Sequence, residues 1–305
     1  DALRDHFQSA WCCERGGVNK FGAHNLMSLQ TNRRVTIVMY HFVRDLKHSR
    51  YPEIKGLSLE EFRGQIEYIH RYYNVIGVPE LLAALESPDQ ALPPRALLLT
   101  FDDGYRDHFD NVLPLLAGHG LTGCFFPPAK AVTEQEVLDV NKIHFILAAV
   151  PDKTRILDSL FTLLDEAREE FPLWDRDDYY QRLAHPSRFD TAEVILIKRL
   201  LKRELPEAQS QEREIELSLR FLQTVGSDIG NWVIGYPYGA YNDSLLRILR
   251  DQGCKAGFTT EVLIADLDQD DPLTLPRLDT NDLPKRRDAA PNQWTMQVLQ
   301  ENIAA

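Results

Sequence analysis

Cysteine, basic charge and long apolar runs are all scarce in this 305-residue chain, and each shortage excludes a class of protein. No pair of cysteines has the CxxC spacing of a zinc knuckle, and four in so long a chain favour buried thiols over a disulfide framework. Acidic residues outnumber basic ones, 46 against 34, for a formal net charge of −12. We therefore expect no nucleic-acid or anionic-membrane partner, because both bind through basic patches.

Apolar runs are too short for a membrane span, since none approaches the roughly 18 residues that a membrane helix needs. The sequence opens at Asp1 without a basic-then-apolar leader. We expect a soluble protein without a visible signal peptide. Neither the compartment nor the oligomeric state follows from these patterns.

Strand-like and helix-like segments alternate along most of the chain. Arg34–Tyr40 and Ala96–Phe101 are continuously apolar, which is typical of strands buried on both faces. Between them, Ser58–Tyr72 has apolar residues at helical spacing behind a capping-box pattern of Ser58 and Glu61. Such alternation predicts an α/β fold with parallel strands and crossover helices.

Two stretches depart from this rhythm. Residues 1–33 mix glycine and charge without a clear period, and we interpret them as an N-terminal extension. From about residue 141 to residue 204 the pattern is almost wholly helical, which predicts a helical insertion beside the carboxyl ends of the strands. The rest of 34–305 is long enough for one domain with one core.

Two adjacent carboxylates, Asp102 and Asp103, follow the second buried strand. Such a pair is costly at a strand end unless something neutralises it. Gly104 allows the backbone to turn, so that both side chains line one mouth. A divalent metal is a natural neutraliser, with one carboxylate as its ligand and the other as a base toward metal-bound water. The alternative is a solvated Asp-Asp-Gly turn without function.

Four motifs, found in the same order, resemble those of the polysaccharide deacetylase family, the fourth carbohydrate esterase family. Thr100–Tyr105 (TFDDGY) resembles the first family signature, and Tyr236–Tyr241 (YPYGAY) resembles the third. Val38–His41 (VMYH) and Leu275–Arg277 (LPR) are similar to strands of the subgroup that includes poly-N-acetylglucosamine deacetylases. The resemblance covers roughly 34–279 and implies a deformed (β/α) barrel with fewer than eight regular strands.

The resemblance also implies an activity and roles for several residues. It implies a metal-dependent hydrolase that removes N-acetyl groups from an amino sugar or polysaccharide, with zinc as the expected ion. Asp102 resembles the general base and Asp103 the metal-ligating carboxylate. The backbone N–H of Tyr238 matches the group that stabilises the oxyanion. We assign His41, Tyr105 and Pro237 to substrate binding, although His41 fits a metal contact or a structural hydrogen bond as well.

The chain differs from the family pattern at two places. Members usually carry an arginine shortly before the Pro-Tyr-Gly signature, where this sequence has Gly235 and Tyr236. We predict that Arg277 replaces it as the partner of the catalytic aspartate, and a surface ion pair is the alternative. The His-Ser/Thr-x-x-His signature that completes the family's metal site is also missing. The histidines in that interval stand alone, namely His108, His119, His144 and His185.

Asp103 is thus the only secure metal ligand in the sequence, and one carboxylate does not hold a catalytic zinc. We considered a break in the chain between Glu204 and Glu212, where the family has a strand and its histidine pair. A second hypothesis is a catalytically degenerate barrel that binds glycan, against which the intact Asp102 and Asp103 pair argues. A third is an ester or formyl-amide hydrolase on the same scaffold.

Overall fold

The computed structural model describes residues 32–168, 173–201 and 208–304. The predicted N-terminal extension lies outside these residues except for its last two positions. Residues 202–207, on which the hypothesis of a chain break depends, also lie outside them. Both ideas therefore stay predictions.

Short strands and longer helices alternate over most of the described chain. The strands are β1 (Arg34–Tyr40), β2 (Val43–Arg44), β3 (Leu57–Ser58), β4 (Asn74–Ile76), β5 (Ala96–Asp102), β6 (Cys124–Phe126), β7 (Val233–Gly235), β8 (Ala256–Phe258), β9 (Ala265–Asp266) and β10 (Leu278–Asp279). The helices are α1 (Leu59–Tyr72), α2 (Val78–Glu86), α3 (Leu113–Gly118), α4 (Ala129–Thr133), α5 (Asp139–Ala149), α6 (Lys153–Ala167), α7 (Arg176–Leu183), α8 (Ala192–Leu200), α9 (Ala208–Thr224), α10 (Asp243–Asp251) and α11 (Gln293–Ala304).

The main strands form one row and run in the same direction. β5 pairs in parallel with β1 on one side and with β4 and β6 on the other. β10 pairs with the free side of β1, and Leu275, just before it, bridges to Phe258 of β8, which pairs with β7. The mixed α/β fold predicted from the sequence is confirmed. Within the described residues, however, the strand pairings form an open row and not a closed ring.

The two ends of the row nevertheless approach each other. A side chain at Gly235 of β7 would meet the ring of Phe126 in β6 at 3.2 Å. The Phe126 and Phe258 rings lie 5.7 Å apart, across the space between β6 and β8. The row is therefore curved, and its carboxyl ends converge on one region.

Side chains of β1 and β5 pack on both faces of the row, as their unbroken apolar sequences predict. On one face Val38, Tyr40 and Phe101 join a core with Phe62 and Ile66 of α1. On the other face a second core contains Val35, Ile37, Leu98 and Phe258. Fully burying one such side chain contributes about 1.5–3 kcal/mol. These two cores hold the strand ends, and thus the carboxylates of β5, in fixed positions.

Local sequence sets the start of α1. The Ser58 side chain accepts a hydrogen bond from the Glu61 N–H, and the Glu61 carboxylate accepts one from the Ser58 N–H. This is the capping box that the sequence predicts. It satisfies two of the backbone N–H groups that a helix start leaves unpaired.

The apolar pattern of residues 273–278 is typical of a final strand, but most of this segment does not form one. Pro272–Thr274 form a 3-10 turn, whose Asp271 cap accepts from the Leu273 N–H. Only the bridge at Leu275 and the two residues of β10 belong to the sheet. Asp-Pro at the start of the segment favours a turn, and this local preference overrides its apolar pattern.

Helices α5 to α8 occupy the described part of the predicted insertion and have a small core of their own. Several of their contacts with the rest of the chain involve segments that follow strand ends. Tyr51, after β1, packs on Phe145 of α5, and Lys55 binds Asp190 at 2.7 Å. Arg188 pairs with Asp282, which lies just after β10. These contacts place the insertion beside the carboxyl ends of the strands.

Among the described residues, no helix is both long and apolar enough to cross a membrane.

The Arg188–Asp282 pair is expected to hold α7 and α8 on the body, because the Asp282 carboxylate is only 3% exposed. The Arg188→Ala variant leaves this carboxylate without its cation, so local opening should become easier. We expect amide hydrogen exchange in residues 176–200 to accelerate roughly tenfold. The control is Arg176→Ala, which removes an exposed ion pair with Asp158 inside the insertion. Equal exchange in the two variants would contradict this role of Arg188.

Candidate active site

Parallel strands bring three polar side chains to one edge of the row. Tyr40 of β1 is opposite Phe101 of β5, so His41 and Asp102 are neighbours across the sheet. The His41 Nε2 atom lies 3.9 Å from Asp102 Oδ2. Asp103 follows directly after β5. The register of two buried strands therefore assembles the first part of the site.

Asp102 forms a two-point ion pair with Arg277. Arg277 Nη1 donates to Asp102 Oδ1 at 2.8 Å, and Nη2 donates to Oδ2 at 2.9 Å. The Arg277 side chain is fully buried, whereas that of Asp102 is 14% exposed. This geometry excludes the surface ion pair that we considered for Arg277. It fixes the carboxylate plane of Asp102 while leaving its outer edge accessible.

The guanidinium makes two further hydrogen bonds. Its Nε donates to the Thr259 carbonyl oxygen at 2.8 Å, and Nη1 lies 3.1 Å from Thr100 Oγ1. Thr100 Oγ1 in turn donates to the Val38 carbonyl oxygen at 2.9 Å. A buried guanidinium is tolerated only where its charge and its N–H groups find such partners. Residues of β5, the end of β8 and the segment before β10 are thereby joined at Arg277.

A backbone turn in the left-handed region aims Asp103. The φ angles are +71° at Asp103 and +57° at Gly104. Glycine is required at the second position, because a Cβ there would lie 2.7 Å from the Pro127 Cα. The left-handed conformation of a non-glycine residue costs about 1–2 kcal/mol. Such strain is common at functional sites, where the surrounding structure enforces it.

The Asp103 carboxylate accepts a hydrogen bond from Tyr105. The distance from the Tyr105 hydroxyl to Asp103 Oδ2 is 2.5 Å, and the hydroxyl also lies 3.0 Å from Asn141 Oδ1 in α5. Burial, together with the nearby charge of Asp103, raises the pKa of Tyr105, so the phenol stays protonated. We had assigned Tyr105 to substrate binding, but its hydroxyl is occupied by a neighbouring carboxylate.

The Pro-Tyr-Gly motif follows β7 and faces the same region. Tyr238 is 53% exposed and has φ +59°, and Pro237 is exposed beside it. Burial of part of its ring and the charge of Asp103 raise the pKa of Tyr238 to about 12. Gly239 has no room for a Cβ, which would lie 2.3 Å from Thr260 Oγ1. The turn is therefore fixed by its glycine.

Two of the isolated histidines lie near these residues, and both are neutral at pH 7. His108 is buried, its Nε2 lies 2.8 Å from the His41 carbonyl oxygen, and burial lowers its pKa. Burial lowers the pKa of His144 to about 4, and its ring lies 6.4 Å from that of Phe42. His144 is thus packed between the insertion and the segment after β1. Neither histidine is positioned beside a second one in the way that the family signature requires.

The residues around Asp103 do not complete a metal site. Within the described chain, no group of three or more His, Cys, Asp or Glu side chains has the arrangement of a metal-ligand set. Structural and catalytic zinc sites use four or three protein ligands respectively. Asp103 Oδ2 is moreover engaged by the Tyr105 hydroxyl. The predicted zinc thus has one candidate ligand here, and the described residues do not fit the ion.

The structure brings together most of the residues that the sequence singled out. Asp102 and Arg277 are in direct contact, His41 is adjacent, and Asp103 lies beside them. Sequence reasoning missed the residues that support this group, which are Thr100, Thr259 and Asn141. Thr100 lies within β5 and Thr259 directly follows β8, so both could have been considered from the sequence. Asn141 had no signal, because its contact depends on how the insertion packs.

Comparisons with known proteins agree with these motifs. A family model described as polysaccharide deacetylase matches residues 89–155. YxkH of Bacillus subtilis (strain 168), whose name gives it provisionally as a polysaccharide deacetylase, is 20% identical over 238 residues, covering 77% of this chain and 68% of YxkH. The structure is similar to that of the Streptococcus pyogenes deacetylase PplD in complex with acetate, with a TM-score of 0.53, 18% identity and coverage of 88% and 98%. It is also similar to the structure of IcaB from Ammonifex degensii, with a TM-score of 0.52 and 19% identity. That match covers 88% of this chain and 97% of IcaB.

The buried ion pair makes a prediction about stability. In Asp102→Asn the amide is nearly isosteric with the carboxylate, but one of its N–H groups faces an Arg277 N–H, and the buried cation loses its counter-charge. We expect the free energy of unfolding to fall by about 3 kcal/mol, measured by urea denaturation. The control is Asp288→Asn, which removes the exposed partner of Arg286 and should leave stability unchanged. An Asp102→Asn variant as stable as this control would show that the pair is not buried as described.

Proposed function

Because this chain belongs to the polysaccharide deacetylase family, we propose that it removes N-acetyl groups from an amino sugar or a polysaccharide. It is a hydrolase that acts on carbon–nitrogen bonds of acetylated polysaccharides. The observation that carries the finer proposal is the buried Arg277, which holds Asp102 at the edge where His41, Asp103 and Tyr238 gather. Burying the Arg277 cation is costly, and a solvated turn without function would not require it.

We further propose that the row of strands is part of the wall of a deformed (β/α) barrel. The approach of Gly235 to Phe126 supports this proposal, because it brings the two ends of the row together. The domain would comprise residues 34–305, with the helical insertion at about 141–204 lying over the carboxyl ends. Catalytic side chains of such barrels gather at that end.

Asp102 is the proposed general base. Arg277 fixes both carboxylate oxygens, so that an outer lone pair of Asp102 is aimed at the open side of the site. A water molecule loses a proton to Asp102 and attacks the acetyl carbonyl carbon. The proton then passes to the sugar nitrogen as the carbon–nitrogen bond breaks, which gives acetic acid and a free amine. The acid passes its own proton to the amine, so that acetate and an ammonium group are the final products. No other proton donor or acceptor is needed for this balance.

The Tyr238 backbone is the proposed oxyanion donor. Attack of water converts the carbonyl oxygen to an oxyanion, and a positioned backbone N–H stabilises it more than it stabilises the ground state. The fixed turn at Tyr238 and Gly239 supports this role, because preorganised donors need not reorient during the reaction. We place His41 and Pro237 along the path of the sugar, where both are accessible.

Metal dependence is the part of the proposal with the least support from the described residues. Asp103 is the ligand that the family resemblance assigns, and its partners are not among the described side chains. This mismatch favours the glycan-binding reading as the second candidate function. An ester or formyl-amide hydrolase would use the same base, and would differ in the bond cleaved or in the acyl group removed.

Acetate release tests the proposed function. Wild type and Asp288→Asn should release acetate from N-acetylglucosamine oligomers, whereas Asp102→Asn should lose at least about 100-fold in rate because its base is gone. Rates are compared per folded molecule, since the Asp102 variant is expected to be less stable. Saturable oligomer binding without acetate release would support the degenerate glycan-binding barrel. Release of formate, or of acetate from O-acetyl sugars alone, would support the third reading.

Metal content tests the assignment of Asp103. If Asp103 is a ligand, elemental analysis of the purified protein should find a divalent ion, and Asp103→Ala should hold several-fold less of it. Asp288→Asn should hold as much as wild type. Equal occupancy in all three proteins would remove Asp103 from the ligand set. Absence of metal from an active wild type would show that this chain does not follow the family in its metal.

A further inference from the structure

We propose that Tyr105 is a positioning residue, which fixes the Asp103 carboxylate through its hydroxyl, and that Asn141 makes this positioning depend on the helical insertion. The proposal rests on the hydrolase function proposed above and assigns to Tyr105 a different role from the substrate contact that its motif suggested. It has four parts, each carried by a separate contact.

The first part is the hydrogen bond itself. At 2.5 Å, the bond from the Tyr105 hydroxyl to Asp103 Oδ2 is in the range of a charge-assisted O–H···O⁻ bond. Among the described residues, Tyr105 is the only hydrogen-bond partner of the Asp103 side chain. A phenol has one proton, and here it is directed at the carboxylate. A sugar hydroxyl therefore gains this donor only by breaking a strong bond.

The second part is the rigidity of the Tyr105 ring. It stacks on Phe42 with ring centroids 3.8 Å apart and an angle of 19° between the planes. Phe42 is buried, and the Arg44 guanidinium lies 4.3 Å from its ring centroid. Arg44 is itself held by Asp107 at 2.7 Å. The ring therefore has little freedom to move, and the direction of its hydroxyl is set before substrate binds.

The third part is the backbone at Asp103. With φ at +71°, Asp103 is in the left-handed region, which costs a non-glycine residue about 1–2 kcal/mol. The backbone of the adjacent turn is closely packed, because Gly104 lies against Pro127 and leaves no room for a side chain. The Tyr105 bond thus supplies the side-chain orientation that the strained turn alone leaves open. Positioning to within about half an ångström matters for catalytic groups.

The fourth part is the contact with the insertion. Asn141, in the first turn of α5, places its side-chain amide 3.0 Å from the Tyr105 hydroxyl oxygen. Because the one phenol proton goes to Asp103, the amide NH2 is the group that donates to this oxygen, and a half-turn of the amide exchanges its O and N atoms. Phe145 and Ala148 of the same helix belong to the cluster that contains Phe42 and Tyr105. Helix α5 therefore packs in the cluster that holds the Tyr105 ring and also contacts the Tyr105 hydroxyl. Through this residue, the insertion acts on a carboxylate of the proposed site.

A matched pair of variants separates positioning from packing. Tyr105→Phe removes the hydroxyl and keeps the ring. Tyr51→Phe makes the same change in the same cluster, at a tyrosine that packs on Phe145 and whose hydroxyl has no hydrogen bond in the described residues. We expect Tyr105→Phe to lower kcat roughly 10- to 100-fold, with KM for N-acetylglucosamine oligomers within about twofold of wild type. Tyr51→Phe should leave both constants unchanged.

Asn141→Ala tests the link to the insertion through a double-mutant cycle. By itself it should lower kcat several-fold, because the Tyr105 hydroxyl loses its second neighbour. In the Tyr105→Phe background it should have no further effect, since the hydroxyl through which it acts is gone. Independent effects of the two substitutions would overturn the proposed link.

Two outcomes overturn the positioning role. A raised KM with an unchanged kcat in Tyr105→Phe would return Tyr105 to substrate binding, and equal losses in Tyr51→Phe would reduce it to packing. Crystal structures of both variants decide the matter without turnover. The Asp103 side chain should change rotamer in Tyr105→Phe and keep it in Tyr51→Phe. An unchanged Asp103 overturns the proposal even if wild type releases no acetate, whereas failure of acetate release alone counts only against the proposed function.

Discussion

The burial of one guanidinium organises the carboxyl ends of the strands. Arg277 has no contact with water, so its charge and its N–H groups must all be satisfied by protein. The partners that satisfy them come from segments far apart in the chain, namely Thr100 and Asp102 of β5 and Thr259 after β8. Loss of any partner leaves a buried donor or charge that costs several kcal/mol. The requirements of Arg277 therefore fix the relative positions of these strand ends, and the site is built on them.

Backbone strain is concentrated where these strand ends turn. Asp103 and Tyr238 are both non-glycine residues in the left-handed region, and each is followed by a glycine that has no room for a side chain. Each left-handed residue costs about 1–2 kcal/mol. Two cores on either face of β1 and β5 supply far more than this, because each buried apolar side chain contributes about 1.5–3 kcal/mol. Rigid strands thus enforce strained turns that aim polar groups toward one region.

Local patterns predicted the parts of the fold that depend on neighbouring residues. The unbroken apolar sequence of β1 predicted burial on both faces, and Ser58 with Glu61 predicted the start of α1. The apolar pattern before β10 indicates a strand, and this prediction is wrong because Asp271 and Pro272 set a turn there. Contacts such as Arg277 with Thr100 and Tyr105 with Asn141 depend on packing between distant segments. No spacing in the sequence encodes them, although the resemblance led to Arg277 itself.

The insertion is better understood as part of the candidate site than as an addition to the row of strands. Phe42 and Ile54, which follow β1, share one buried cluster with Ala148 of α5. Without α5, this apolar surface would be exposed, and the stacking of Phe42 on Tyr105 would lose its support. The orientation of Asp103 depends on that stack through a single hydrogen bond. The geometry of a carboxylate directly after β5 is therefore determined in part by a helix that the row of strands itself does not require.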